Sequence, residues 1–149
     1  LSAGCGMALG FKREKKENRV FVLIGDGELQ EGQIWEAAMA AVHHEVGNLN
    51  VIIDRNRIQN DDFMEAQLRL FDIAAKWEGF GWAVRECDGH NMADVVSSIQ
   101  WLDSVTDRPA VIVAHTIKGK GVSFMEDNPA FHGAAPNDDQ LAIALEELK

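Results

Sequence analysis

Tyrosine is absent from this sequence, proline occurs three times and cysteine twice, and basic residues number 14 against 24 acidic ones. The two cysteines, Cys5 and Cys87, lie far apart and match no metal-ligand spacing. That argues against a disulfide scaffold and points to a reducing, cytoplasmic setting. A formal net charge of −10 would repel a phosphate backbone and so disfavours nucleic acid as the main ligand. No apolar run approaches the roughly 20 residues of a membrane helix, so no span is expected. There is no internal repeat, low-complexity tract or interdomain linker. What is present is 149 residues, 46% hydrophobic and 26% charged, enough for one domain over 1–149 with a single core. The sequence opens at Leu1 without methionine or a basic leader, and LSAGCGMALG has the look of a packed helix entered midway. The domain is therefore expected to be incomplete on its N-terminal side.

Four short β-branched runs punctuate the chain: Val20 to Ile24, Val51 to Ile53, a weaker Trp82 to Arg85, and Ala110 to Ala114. Consecutive apolar positions suit strands covered on both faces in a parallel sheet. Helical spacing separates them, in Ile34, Trp35, Ala38, Met39, Ala41, Val42 and Val46, then Leu70, Ile73, Ala74 and Trp77, then Met92, Val95, Val96, Ile99 and Leu102. A last amphipathic stretch carries Leu141, Ala144, Leu145 and Leu148, with Asn137 or Asp138 as its cap. Alternating strand and helix predict a doubly wound, mainly parallel α/β sheet with helices on both faces. Two long polar or glycine-bearing loops, Asn56 to Gln67 and Thr116 to Pro136, follow strands directly. Ligands of such sheets sit beyond the carboxyl ends of the strands, so these loops and the Gly25 to Gly32 turn should converge on one site.

In VFVLIGDGELQEG a strand runs into Gly25-Asp26-Gly27 and then opens a helix. Glycines flanking an acid let backbone N–H groups approach an anion at the positive end of the following helix. The carboxylate itself would repel a phosphate unless Asp26 holds a divalent cation that binds the phosphate in turn. Taken alone, Gly-Asp-Gly is more often a plain turn. From Gly27, the 27 residues Glu28 to Asp54 make one helix and one strand, and Arg55 and Asn56 follow. One βαβ step returns the chain to the same rim, which places the Asn56 amide oxygen within reach of a metal shared with Asp26.

That spacing resembles the thiamine-diphosphate motif. GDGELQEGQIWEA together with HTIKGKGVSFMEDNPAFHGAAP resembles the N-terminal, diphosphate-binding region of transketolases, above all the split enzymes in which this region is a separate chain. The resemblance runs from Leu1 to about Gln140. It implies a thiamine-diphosphate-binding fold with Mg²⁺ held by Asp26, the Asn56 side chain and the Ile58 carbonyl oxygen. It places Gly25, Gly27 and Glu28 beside the diphosphate, Lys118 on a loop passing the cofactor, and His132 as the catalytic histidine at the diphosphate and the donor's polar end. Glu31 matches a glutamate linking paired active sites. The implied activity is transfer of a two-carbon ketol unit from a ketose phosphate to an aldose phosphate, in pentose phosphate metabolism. The implied partner is a pyrimidine-binding C-terminal subunit that supplies the glutamate activating the cofactor, in a dimer of heterodimers. The chain alone is then expected to be inactive.

Departures from the pattern are Arg55 before Asn56, where the family often has Asn or Asp, and Gln59 to Phe63 in place of an Ile-Asp-Gly stretch. The family's upstream glycine-rich turn and histidines have no counterpart here. A deoxyxylulose-phosphate-synthase-like subunit is the alternative within the same chemistry, although SFMEDNP after KGKG is more transketolase-like. A non-catalytic acidic α/β Mg²⁺ module, receiver-like in outline, is the alternative outside it, and leaves Asn56 and His132 unexplained. Elsewhere plainer roles suffice. His43 and His44 diverge on a helix and cannot chelate together. His90 follows an Asp-Gly turn, His115 ends a strand, the four tryptophans fall on apolar stripes, and the pairs Asp61-Asp62 and Glu146-Glu147 read as solvated surface.

Overall fold

The computed structural model describes residues 1–60 and 62–149; Asp61, expected at the solvated surface, lies outside the described residues. Helix α1 (Ser2–Arg13) leads to strand β1 (Val20–Gly25), a 3₁₀ turn (Asp26–Gln30) and α2 (Gly32–His43). Strand β2 (Leu49–Arg55) is followed by one turn of helix, α3 (Met64–Gln67), then α4 (Ile73–Gly79) and β3 (Ala83–Asp88). Helix α5 (Met92–Ser104), β4 (Ala110–His115), a 3₁₀ turn (Pro129–Phe131) and α6 (Asp138–Glu147) complete the chain. The four strands are parallel in the order β1-β2-β4-β3.

Both faces carry helices, as the strand–helix alternation requires. On one face Ile24, Val51, Ile53, Val111 and Val113 pack against Ala8, Ile34, Ala38, Ala41, Ile73 and Trp77, all buried. The other face buries Cys87, Ala110 and Ile112 under Leu102 of α5. Helix α5 is tied on one flank to β3 through Arg85, whose guanidinium donates to Ser97 Oγ at 3.0 Å, and on the other to Arg19 through Asp103. It thus covers β3 and β4 and leaves Phe21 and Leu23 of β1 bare, at 49% and 71% exposure, facing exposed Val96 and Ile99.

Four local expectations are corrected. Leu70 does not belong to a helix with Ile73 and Trp77, because Phe71 sits at φ 53°, a left-handed value that a right-handed helix cannot pass through. The helix starts afresh with Asp72 as N-cap, its carboxylate accepting from Ala75 N–H. Val46 likewise lies beyond α2, after Glu45 at φ 51°, yet is fully buried. The Asn56 to Gln67 loop contains the short α3. Finally, Gly-Asp-Gly opens a 3₁₀ turn of five residues and the α-helix begins only at Gly32, so the helix-dipole end beside Asp26 is a short one.

Candidate functional site

The strand ends fix the site. Gly25 pairs with Asp54 and Arg55 with His115, so the loops after β1, β2 and β4 leave the sheet at one rim. Immediately beyond β1, Asp26 is 2% exposed, and its Oδ2 accepts the Arg57 N–H at 2.8 Å. Arg57 holds φ 65°, and this turned backbone is what points its N–H back at β1. Asp26 Oδ1 is buried with no hydrogen-bond partner among the described residues. Burial pushes the Asp26 carboxyl above the usual carboxylate range; the Arg57 N–H opposes that, and the Asp54 carboxylate adds to it. An unsatisfied, desolvated carboxylate oxygen costs roughly 1–3 kcal/mol or more, and a cation removes that cost.

Asn56 is also buried, and its amide is held at both ends. Its Nδ2 donates to Asp54 Oδ2 at 2.9 Å, and its Oδ1 accepts the Ile58 N–H at 3.0 Å. The remaining lone pair of Oδ1 is free to ligate. A cavity of about 300 Å³ is lined by Gly25, Asp26, Gly27, Glu28, Glu31, Asn56, Ile58, Gln59, Asn60 and His132. A Cβ on Gly27 would come within 3.2 Å of Gln59 Cβ, so the missing side chain lets backbone and loop close around the cavity. Glu28 turns inward on its own turn, Oε2 accepting the Gly25 N–H at 2.7 Å.

His132 enters from 76 residues beyond Asn56, carried by the loop after β4. That loop is folded on itself. Gly119 (φ 74°) has Met125 O at 2.5 Å from where a Cβ would stand, and Glu126 accepts the Gly121 N–H at 2.9 Å. The glycines of KGKG therefore serve loop closure. Asn128 caps the 3₁₀ turn before His132, accepting Ala130 N–H at 3.1 Å, and Phe124 and Phe131 meet edge to face at 5.3 Å.

Most of the residues expected at the site meet in this cavity; Lys118 does not. It lines a neighbouring cavity of about 500 Å³ with Leu23, Ile52, Asp54 and Asn56, so the two spaces share Asn56. Sequence reasoning missed Asp54, Arg57 and Thr116, whose Oγ1 donates to Asp54 Oδ1. Asp54, two residues before Asn56, was visible as an Asp-x-Asn pattern, whereas Arg57 contributes through its backbone and leaves no side-chain signal. His90 takes a structural part, its Nε2 accepting the Ile117 N–H at 2.7 Å. His115 contacts Glu86 at 2.6 Å, and His43 and His44 lie outside the cavity.

Among the described residues no three His, Cys, Asp or Glu side chains gather around a common point. A cation at Asp26 would rest on one carboxylate, neutral amide and carbonyl oxygens, and oxygens of its own ligand. This donor set suits Mg²⁺ bound together with a phosphate-bearing molecule.

Comparisons with known proteins agree with this geometry. The family described as "Transketolase, thiamine diphosphate binding domain" matches residues 10–148. One of the two subunits of an apulose-4-phosphate transketolase from Phocaeicola vulgatus is 40% identical over 99% of this chain and 53% of its own length. A 6-deoxy-6-sulfo-D-fructose transketolase subunit from a Clostridium species is 38% identical over 99% of the chain and 54% of its own. Human transketolase is 36% identical, over 99% of the chain and 23% of its own. The chain spans about half the length of these bacterial subunits. In solved structures, a Pichia stipitis transketolase variant in complex with fructose-6-phosphate superposes with a TM-score of 0.87 at 26% identity, over 95% of this chain and 22% of that one. The Campylobacter jejuni transketolase gives 0.87 at 25% identity, over 98% and 24%.

Proposed function

The chain belongs to the transketolase thiamine-diphosphate-binding family, and from this premise we propose that it holds the Mg²⁺-diphosphate end of the cofactor in a ketol-transferring enzyme. The observation that carries the reading is the buried, unpartnered Asp26 Oδ1 in one cavity with Asn56, Ile58 and His132. Asp26, the Asn56 amide oxygen and the Ile58 carbonyl are the metal ligands of this proposal, and Gly25 and Gly27 leave room for the diphosphate beside them. Glu28 acts by capping Gly25, and Lys118 adds charge from the adjoining cavity. The cofactor, when bound, supplies the nucleophilic carbon at which a donor's C–C bond is cleaved and re-formed. His132 lies where its imidazole can hydrogen-bond the donor's polar end and hold or release a proton near neutral pH. Glu31, on the rim of the cavity, is the residue offered to a second active site.

Relatives named for apulose-4-phosphate and 6-deoxy-6-sulfo-D-fructose support a ketose with an anionic terminus as donor and an aldose phosphate as acceptor. Their designation as subunits supports a pyrimidine-binding partner chain, assembly as a dimer of heterodimers, and inactivity of this chain alone. The buried free thiols of Cys5 and Cys87, pushed up in pKa by burial, support a reducing cytoplasmic setting. Calorimetric titration of thiamine diphosphate with Mg²⁺ into the chain, by itself and mixed with a pyrimidine-side partner chain, tests the reading. Binding that needs Mg²⁺ and is lost in Asp26→Ala supports it. Binding unchanged by Asp26→Ala, or none in the mixture, returns the chain to a non-catalytic α/β module.

A further inference from the structure

Asp54 ends β2 half-buried between two neighbours that both donate to it, Asn56 Nδ2 at 2.9 Å on Oδ2 and Thr116 Oγ1 on Oδ1. A carboxylate is an acceptor only. It therefore admits the NH₂ end of the Asn56 amide and rejects the oxygen end. The Ile58 N–H, a donor only, makes the complementary selection at 3.0 Å. Flipping the amide would face oxygen to carboxylate and NH₂ to N–H, two repulsions at once, and would present a donor to the cavity. Thr116 opens the loop that carries His132, and its own N–H reaches the Arg55 carbonyl at 3.3 Å, so the same carboxylate also fastens the root of that loop to the end of β2.

We infer that Asp54 is a positioning residue, which fixes the Asn56 amide with its oxygen toward the Asp26 cavity and ties that ligand to the loop bearing His132. The inference rests on the proposed function in treating Asn56 as a metal ligand. Its orienting part stands on the hydrogen-bond chemistry alone. Outer-sphere partners of metal ligands typically change affinity 10- to 100-fold when removed.

Two readouts on the chain assembled with its pyrimidine-side partner test it. The first is the Mg²⁺ concentration for half-maximal thiamine diphosphate binding, by calorimetry. Asp54→Ala is expected to raise it about 10- to 100-fold. Asp54→Asn is expected to restore it to within a few-fold, because an asparagine there still offers an oxygen to Asn56 Nδ2 and its NH₂ can donate to Thr116 Oγ1. Thr116→Val, which cuts the loop tie and spares the amide lock, is expected to leave the Mg²⁺ requirement nearly unchanged. The second readout is the Asn56 side-chain NH₂ signal in the NMR spectrum of the metal-free protein, whose slow hydrogen exchange should be lost in Asp54→Ala and kept in Asp54→Asn. Parental affinity in Asp54→Ala, or Asp54→Asn as weak as Asp54→Ala, overturns the inference. So does an Asn56 NH₂ signal indifferent to Asp54→Ala. Absence of Mg²⁺-dependent binding in the parent protein instead sinks the reading of Asn56 as a ligand, and the NMR comparison then decides the orienting role by itself.

Discussion

Asp26 carries the sharpest conflict between stability and use. Its burial with one oxygen unpartnered weakens the metal-free fold, and the same feature makes it a cation ligand. Asp26→Asn is therefore expected to leave the metal-free chain as stable as the parent or up to about 1 kcal/mol more so, while abolishing Mg²⁺-dependent cofactor binding. Chemical denaturation and calorimetry on the same variant check both halves. A large loss of stability would show that the carboxylate is structurally required. His132 is tested separately, since its hydrogen bonds within the protein are made by the backbone, with its N–H on the Pro129 carbonyl at 2.9 Å. His132→Ala should lower kcat/KM of the assembled enzyme by about 10²–10⁴-fold, with little change in melting temperature.

At the scale of elements, α1 meets the sheet through a glycine. A Cβ on Gly4 would stand 2.3 Å from Val22 Cγ2 and 3.8 Å from Leu49 Cδ1, so helix and strands approach as closely as they do only because that side chain is missing. Gly4→Ala should destabilise the chain by about 1–3 kcal/mol through overpacking, although alanine is the better helix former by about 1 kcal/mol. A rise in the unfolding midpoint would show that α1 can shift freely. At the other end, α6 is held to the loop after β4 by Glu147, which accepts from Ser123 Oγ at 2.6 Å and from its N–H at 2.7 Å. The Ser123 hydroxyl and then its N–H keep the Glu147 carboxyl below the usual range. A folded pKa below the unfolded one gives stability that is present above the ordinary glutamate pKa and is lost as pH falls through the lowered folded value. Hydrogen exchange over residues 138–147 should accelerate in that acid window and show no such step in Glu147→Gln.

For the whole molecule, the face left open by α5 is the feature with consequences. Phe21 and Leu23 of β1 and Met92, Val96 and Ile99 of α5 are all at least 40% exposed around the bare part of the sheet, and β1 is also an edge strand. An apolar sheet face beside an open edge favours association. Sedimentation of this chain by itself should show concentration-dependent self-association, reduced in the double variant Phe21→Thr, Leu23→Thr. An unchanged profile would place the contact elsewhere. The charge of −10 opposes such association, so added salt should strengthen it.

The class of fold and the identity of the candidate site residues were legible in the sequence because they rest on local, periodic signals. Apolar runs such as Val111 to Val113 become strands covered on both faces, and Gly25-Asp26-Gly27 must follow a strand to be useful where it stands. Asn137 caps α6 through its own side chain, accepting Gln140 N–H at 2.9 Å, a bond that three residues suffice to specify. Left-handed residues without a glycine, Glu45, Arg57 and Phe71, carry no such mark, which is why helix ends and the turn aiming the Arg57 N–H were not foreseen. Nor does any one segment determine which donor faces which acceptor across 62 residues, as between Asp54 and Thr116. The sequence by itself determined a parallel α/β domain and a set of candidate ligands. Only the tertiary structure decided that Asp26 keeps an unpartnered oxygen, that Lys118 serves the neighbouring cavity, and that the Asn56 amide turns its oxygen inward, because burial and hydrogen-bond complementarity are properties of surroundings assembled from distant parts of the chain.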